Sequence, residues 1–115
     1  MLPETDLLSN IIQAVPDGTA WIISNDSWDL IPEMFHTNDF NENYWVVNIS
    51  EECRQSLIER VIQYDLSDKI VHMDLIIDNK VLFNSYDRMS MITIDCDFEK
   101  KNDFIKKHSE LDIYT

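Results

Sequence analysis

The chain has 115 residues, 44% of them hydrophobic and 27% charged, with 22 acids against 9 bases for a formal net charge of −13. That length supports one hydrophobic core and not two, and the composition excludes a disordered chain. The charge disfavours nucleic acid and anionic membrane as direct partners, since both need Lys and Arg to displace counterions, and no run approaches the roughly 18 apolar residues of a membrane span.

Pro3 fits the first position of a helix, and Glu4 and Asp6 favour its positive end. Leu7, Leu8, Ile11, Ile12 and Val15 recur at helical spacing and form one buried stripe. Pro16-Asp17-Gly18 stops the helix, and Gly18, the only glycine, suits a positive φ. Thr19 to Ser24 reads as a nearly continuous apolar strand, the pattern of a sheet covered on both faces. Asn25, Asp26 and Ser27 supply N-cap chemistry, predicting a short helix from Ser27 to Phe35 that Pro32 interrupts. His36 to Asn43 is rich in Asn and Asp and reads as a loop.

Tyr44 to Ile49 is a second strand. Ser50 caps a helix over Glu51 to Tyr64 that buries Cys53, Leu57, Ile58, Val61 and Tyr64, and Asp65 to Asp68 is a turn. Ile70 to Ile77 is a third strand. Asp78-Asn79-Lys80 is a tight hairpin, because Asp and Asn tolerate the left-handed conformation, and Val81 to Tyr86 returns antiparallel. Met89 to Cys96 makes a further strand, Asp97 caps a last helix to His108, and Leu111 to Tyr114 adds an edge strand. The first half alternates strand and helix, which favours parallel pairing through right-handed crossovers. The expected fold is a single domain over residues 1–115, α/β with α+β character: a mixed sheet of about five or six strands under about four helices.

Met1 to Val15 lacks the cationic start of a signal peptide, so the expected location is the cytoplasm. Cys53 and Cys96 then read as small buried apolar residues without a disulfide.

Catalytic chemistry finds little support. Phosphate loops need several glycines for backbone N–H groups to reach phosphate, and one glycine between a helix and a strand cannot build such a loop. His72 and Asp74 alternate on one strand, and with Asp78 and Lys80 they resemble the tail of a metal-dependent nuclease motif; that motif needs its lysine on a strand, whereas Asp78 to Lys80 reads as a turn. Cys53 and His36 lack any local motif for nucleophilic catalysis. No catalytic residue, metal or cofactor is expected.

The positive signal is the stretch from Asn25 to Tyr44. It carries Asp26, Asp29, Glu33, Asp39 and Glu42 among Trp28, Phe35, Phe40 and Tyr44, with no Lys or Arg. It sits in a first 53 residues holding ten acids and no Lys or Arg; the remaining 62 hold twelve acids and nine bases. Trp28 and Phe35, seven apart, also fit a plain inward-facing pair. One-signed charge costs self-repulsion unless something neutralises it, so the asymmetry predicts a basic partner.

The acidic, aromatic N-terminal half, together with the run HMDLIIDNKVLFNSYDRMSMITID from His72, resembles the small acidic immunity proteins that bacteria make beside secreted or contact-delivered toxins. The likeness rests on the hairpin segment Leu82-Phe83-Asn84-Ser85-Tyr86-Asp87, followed by a helix and a short last strand, and covers the chain from His72 onward. It implies a protein that binds a cognate toxin domain, often a basic nuclease, and inhibits it stoichiometrically; the free chain is expected to be a monomer. No binding residue carries over by alignment; the residues themselves point to Asp26, Trp28, Asp29, Glu33, Asp39, Phe40 and Glu42 as contacts. The other readings are a small metal-dependent hydrolase using His72, Asp74, Asp78 and Lys80, and an assembly subunit with an acidic interface.

Overall fold

The computed structural model describes residues 1–115. Helix α1 runs Pro3–Ala14, with Leu7, Leu8, Ile11 and Ile12 fully buried. Gly18 turns the chain at φ 93° and donates its N–H to the Ile49 carbonyl at 2.8 Å. A side chain there would meet open space, so the position demands glycine for its backbone conformation alone. Strand β1 follows at Ala20–Ser24, then helix α2 at Ile31–Phe35, β2 at Asn38–Asn41 and β3 at Tyr44–Asn48. Helix α3 spans Glu51–Tyr64 and a single 3-10 turn Leu66–Asp68. Strands β4 (Met73–Ile77), β5 (Lys80–Tyr86) and β6 (Met91–Ile94) lead to helix α4 (Lys101–Lys107) and the two-residue strand β7 (Ile113–Tyr114).

The strands form one sheet in the order β2-β3-β1-β4-β5-β6-β7. Its seven strands exceed the expected five or six, and the addition is β2, placed where a loop is predicted. Asn38 to Asn41 has weak strand propensity of its own, and it becomes a strand by pairing with the free edge of β3, with a bulge between Asp39 and Asn41. Parallel pairing in the first half does not occur. The β2–β3 hairpin reverses the chain, so β3 runs antiparallel to β1, as β4 does on the other side. β3 and β4 are therefore parallel to each other with β1 between them, and α3 carries the chain across. The one parallel pair is β6 with β7.

The helix starts show which polar side chains cap and which do other work. At α3, Ser50 is the N-cap, and Cys53 Sγ reaches back to the Ser50 N–H at 3.4 Å, the return half of a capping box. Ser27 does not cap α2: its buried hydroxyl accepts the Val71 N–H at 2.9 Å, so α2 begins four residues later than predicted. Asp97 turns toward Lys80 at 3.3 Å, and α4 begins at Lys101. Cys53 is half-buried as a cap, and Cys96 is exposed, against the expectation that both are buried; the bridge-free state of both thiols agrees with it.

The Asp78-Asn79 hairpin has φ of 51° and 62°, the left-handed pair a two-residue turn requires. The turn from β5 to β6 is longer: Asp87, Arg88 and Met89 are all left-handed, held by the buried Met89 side chain and the Arg88 N–H on the Val71 carbonyl at 3.2 Å.

One cluster of 23 buried residues joins α1, α2, α3, α4 and alternate strand residues such as Trp21, Ile23, Met73, Leu75, Phe83, Ile92 and Ile94. Ile22 is the one buried hydrophobic residue outside it, because it points to the opposite face. The helices thus cover a single side. The other face carries no helix, against the expectation of a sheet covered on both faces, although the central strand β1 is buried on both sides, with Ile22 only 3% exposed on that face. No helix is long and apolar enough to cross a membrane.

Candidate functional site

Residues 25–44 leave the sheet after β1, rejoin it as the edge strand β2 and turn into β3. The two ends of this excursion are tied together: the Asn25 N–H donates to the Asn43 carbonyl at 2.9 Å, and Asn25 Nδ2 donates to the Glu42 carbonyl at 2.8 Å. Asp26, Asp29, Glu33, Asp39 and Glu42 are all exposed. None lies within 4.0 Å of a Lys, Arg or His nitrogen; the ion pairs of this chain involve Asp6, Asp17, Asp74, Asp95 and Asp97 instead. Asp26 does share a cleft of about 290 Å³ with Trp28, Asp68, Lys69 and Arg88, unpaired.

The aromatic residues of the excursion divide. Phe40 is 55% exposed on the bulged edge strand. Phe35 packs 5.4 Å from Trp21, and Trp28 lies 5.7 Å from Tyr64 with Lys69 Nζ 5.6 Å over its ring. Both belong to the margin of the core, so the inward-facing pair describes them. Trp28 presents one half-buried edge, and Phe40 is the freely exposed ring.

The four residues of the hydrolase reading do not meet. His72 precedes β4 and Asp78 follows it, about 20 Å apart at the usual rise per strand residue. Asp78 sits in the hairpin turn. Lys80 lies 3.1 Å from Asp95 and 3.3 Å from Asp97, and those two carboxylates hold its pKa above the ordinary lysine value. Asp95, Cys96 and Asp97 bring ligand atoms within 4.8 Å of one another, but the ammonium of Lys80 already supplies their positive charge.

His72 and Asp74 do come together, with partners that sequence reasoning missed. On the bare face of the sheet the His72 ring stacks on Tyr86 with centroids 4.3 Å apart, and Tyr44 meets it edge-on at 5.6 Å. Tyr44 Oη lies 3.2 Å from Nδ1, and Asp74 Oδ2 lies 3.8 Å from Nε2. Asn84 Nδ2 donates to Asp74 Oδ1. Register assembles this group: Asp74 pairs with both Ile22 and Asn84, and Tyr44 with Ser24. The only sequence signal was the period-2 spacing of His72-x-Asp74 and Asn84-x-Tyr86. A second cleft of about 290 Å³, lined by Ser24, Asn25, Asp26, Asn43, Tyr44 and His72, joins this group to the acidic excursion.

Away from both regions, His108 is buried at the end of α4, with Asn10 Nδ2 3.2 Å from Nε2 and Asp6 Oδ2 3.8 Å from Nδ1. Burial holds its pKa below the usual histidine value, with the Asp6 charge opposing.

No protein family, curated protein or solved structure matches the chain.

Proposed function

We propose that the protein is a stoichiometric inhibitor of a basic protein, of the bacterial immunity type: it binds a cationic toxin domain in the cytoplasm and performs no reaction itself. One observation carries this reading. Five exposed carboxylates ride on a single segment that also carries an exposed phenylalanine, and no cation of the chain pairs with them. Such charge raises the encounter rate with a basic surface, and rings buried on contact then slow dissociation. The binding residues are Asp26, Asp29, Glu33, Asp39, Phe40 and Glu42, with Trp28 contributing its half-exposed edge. The free protein is a monomer, held apart from its own copies by a net charge of −13.

The experiment co-expresses the chain with the basic C-terminal domain of a large secreted protein encoded beside it. A one-to-one complex that abolishes the toxicity of that domain supports the proposal. A neighbourhood with no such gene, or two proteins that elute separately, contradicts it.

A further inference from the structure

Val81, Tyr86, Met91 and Tyr114 are exposed by 44, 47, 53 and 58%, and strand register places all four on the bare face of the sheet. Tyr86 is directly opposite Met91, Val81 opposite Ile76, and Tyr114 beside Thr93. Single exposed apolar residues are ordinary, whereas several on one uncovered sheet face, with Tyr86 paired directly to Met91, suggest a binding surface. Beside these residues, on the β4 and β3 side of Tyr86, stand His72, Tyr44 and the Asp74 carboxylate, which no Lys or Arg reaches within 4.0 Å.

The chemistry of this face selects its occupant. A guanidinium stacks on a tyrosine ring and donates N–H bonds to carboxylates, and it gives up water more readily than an ammonium. A second copy of the chain would bring −13 against −13 and set carboxylate against carboxylate. Nucleic acid and anionic lipid are repelled by the same field. We propose that the sheet face around Tyr44, His72, Asp74 and Tyr86 docks a cationic protein, with an arginine of that partner seated against the tyrosine rings and the Asp74 carboxylate. This rests on the function proposed above and adds a second contact region beside the excursion, contributed mainly by the C-terminal half.

The test needs no partner. N-acetyl-arginine amide is titrated into the isotope-labelled protein, with N-acetyl-lysine amide in parallel, and shifts are followed by NMR. Saturable shifts are expected at Tyr44, His72 and Tyr86, stronger with the arginine probe. Asp74→Asn keeps an acceptor for Asn84 and removes the charge; Met91→Lys changes an exposed side chain and adds an opposing one. Each is expected to weaken probe binding about fivefold, the effect of one unit charge near the surface. Shifts confined to the excursion, or unchanged affinity in both variants, overturn the inference. So does self-association of the free chain that Tyr86→Ala abolishes, since that assigns the face to a second copy. These outcomes leave the toxin-binding experiment standing, so either proposal can fail alone.

Discussion

Two acidic regions of this molecule treat their charge in opposite ways. At the end of β6, Asp95 and Asp97 close on Lys80 at 3.1 and 3.3 Å. At the end of α1, Asp17 meets Arg54, whose guanidinium also donates to the Ile12 and Val15 carbonyls. In the excursion from Asp26 to Glu42, none of the five carboxylates forms an ion pair within 4.0 Å. Internally neutralised acids belong to the fold, while unneutralised acids on one connected segment are what a cationic partner would complete. Twelve acids outside the excursion are unpaired as well, so what sets the excursion apart is an unbroken segment of acids and aromatic rings with no Lys or Arg of its own.

The largest effect on stability falls on the structural side. Arg54→Met removes three polar contacts of a side chain that is 12% exposed, uncapping the last carbonyls of α1, and is expected to cost about 2–3 kcal/mol. Chemical denaturation measures it; a loss below about 0.5 kcal/mol would make this arginine ornamental and blur the comparison. A smaller change of opposite sign is expected at Ser85, which is fully buried with a hydroxyl that has no partner. Ser85→Ala should raise stability by about 1 kcal/mol, and a decrease would reveal an unseen role for that hydroxyl.

Smaller still are the charge effects, which test the comparison through their signs. Converting Asp29, Glu33, Asp39 and Glu42 to Asn or Gln relieves repulsion and should leave the denaturation midpoint equal or higher. Converting Asp95 and Asp97 to Asn strands Lys80 and should lower it. Added salt shrinks both differences. Midpoints moving the same way in both variants would erase the distinction.

The finest effect is confined to acid pH. His108 is neutral in the fold, with Asp6 facing it from α1 and Lys107 and Glu110 beside it. Its folded pKa lies below the unfolded value near 6.5, so between the two the unfolded chain binds the extra proton. Stability should therefore fall as pH drops below about 6.5, and His108→Gln, which retains an acceptor for Asn10, should flatten that slope. An unaltered slope in the variant would assign it to other groups.

Much of the fold was legible because its signals are local. The Ser50 cap and the Leu57, Ile58, Val61 stripe give α3 its observed limits, and Asp78-Asn79 announces its hairpin. What was not legible depends on distant pairing. Asn38 to Asn41 is a strand only because β3 offers an edge, and that hairpin alone converts the expected parallel order into an antiparallel one. Ser27 looks like a cap in sequence and serves as an acceptor for Val71 in space. The acidic excursion was visible as composition, whereas the gathering of Tyr44, Asp74, Asn84 and Tyr86 around His72 needed the register of four strands. Trp28 shows the limit of composition: an aromatic ring among acids reads as exposed, and Tyr64 and Lys69 claim it.

The decisive measurement is calorimetric titration of the basic partner domain into the wild-type protein and the variant with Asp29, Glu33, Asp39 and Glu42 all changed to alanine, at low and moderate salt. Four lost carboxylates should weaken binding at least about thirtyfold, the loss of roughly 2 kcal/mol or more, and flatten its salt dependence. Affinity unchanged within about twofold would mean that this unneutralised charge is not an interface.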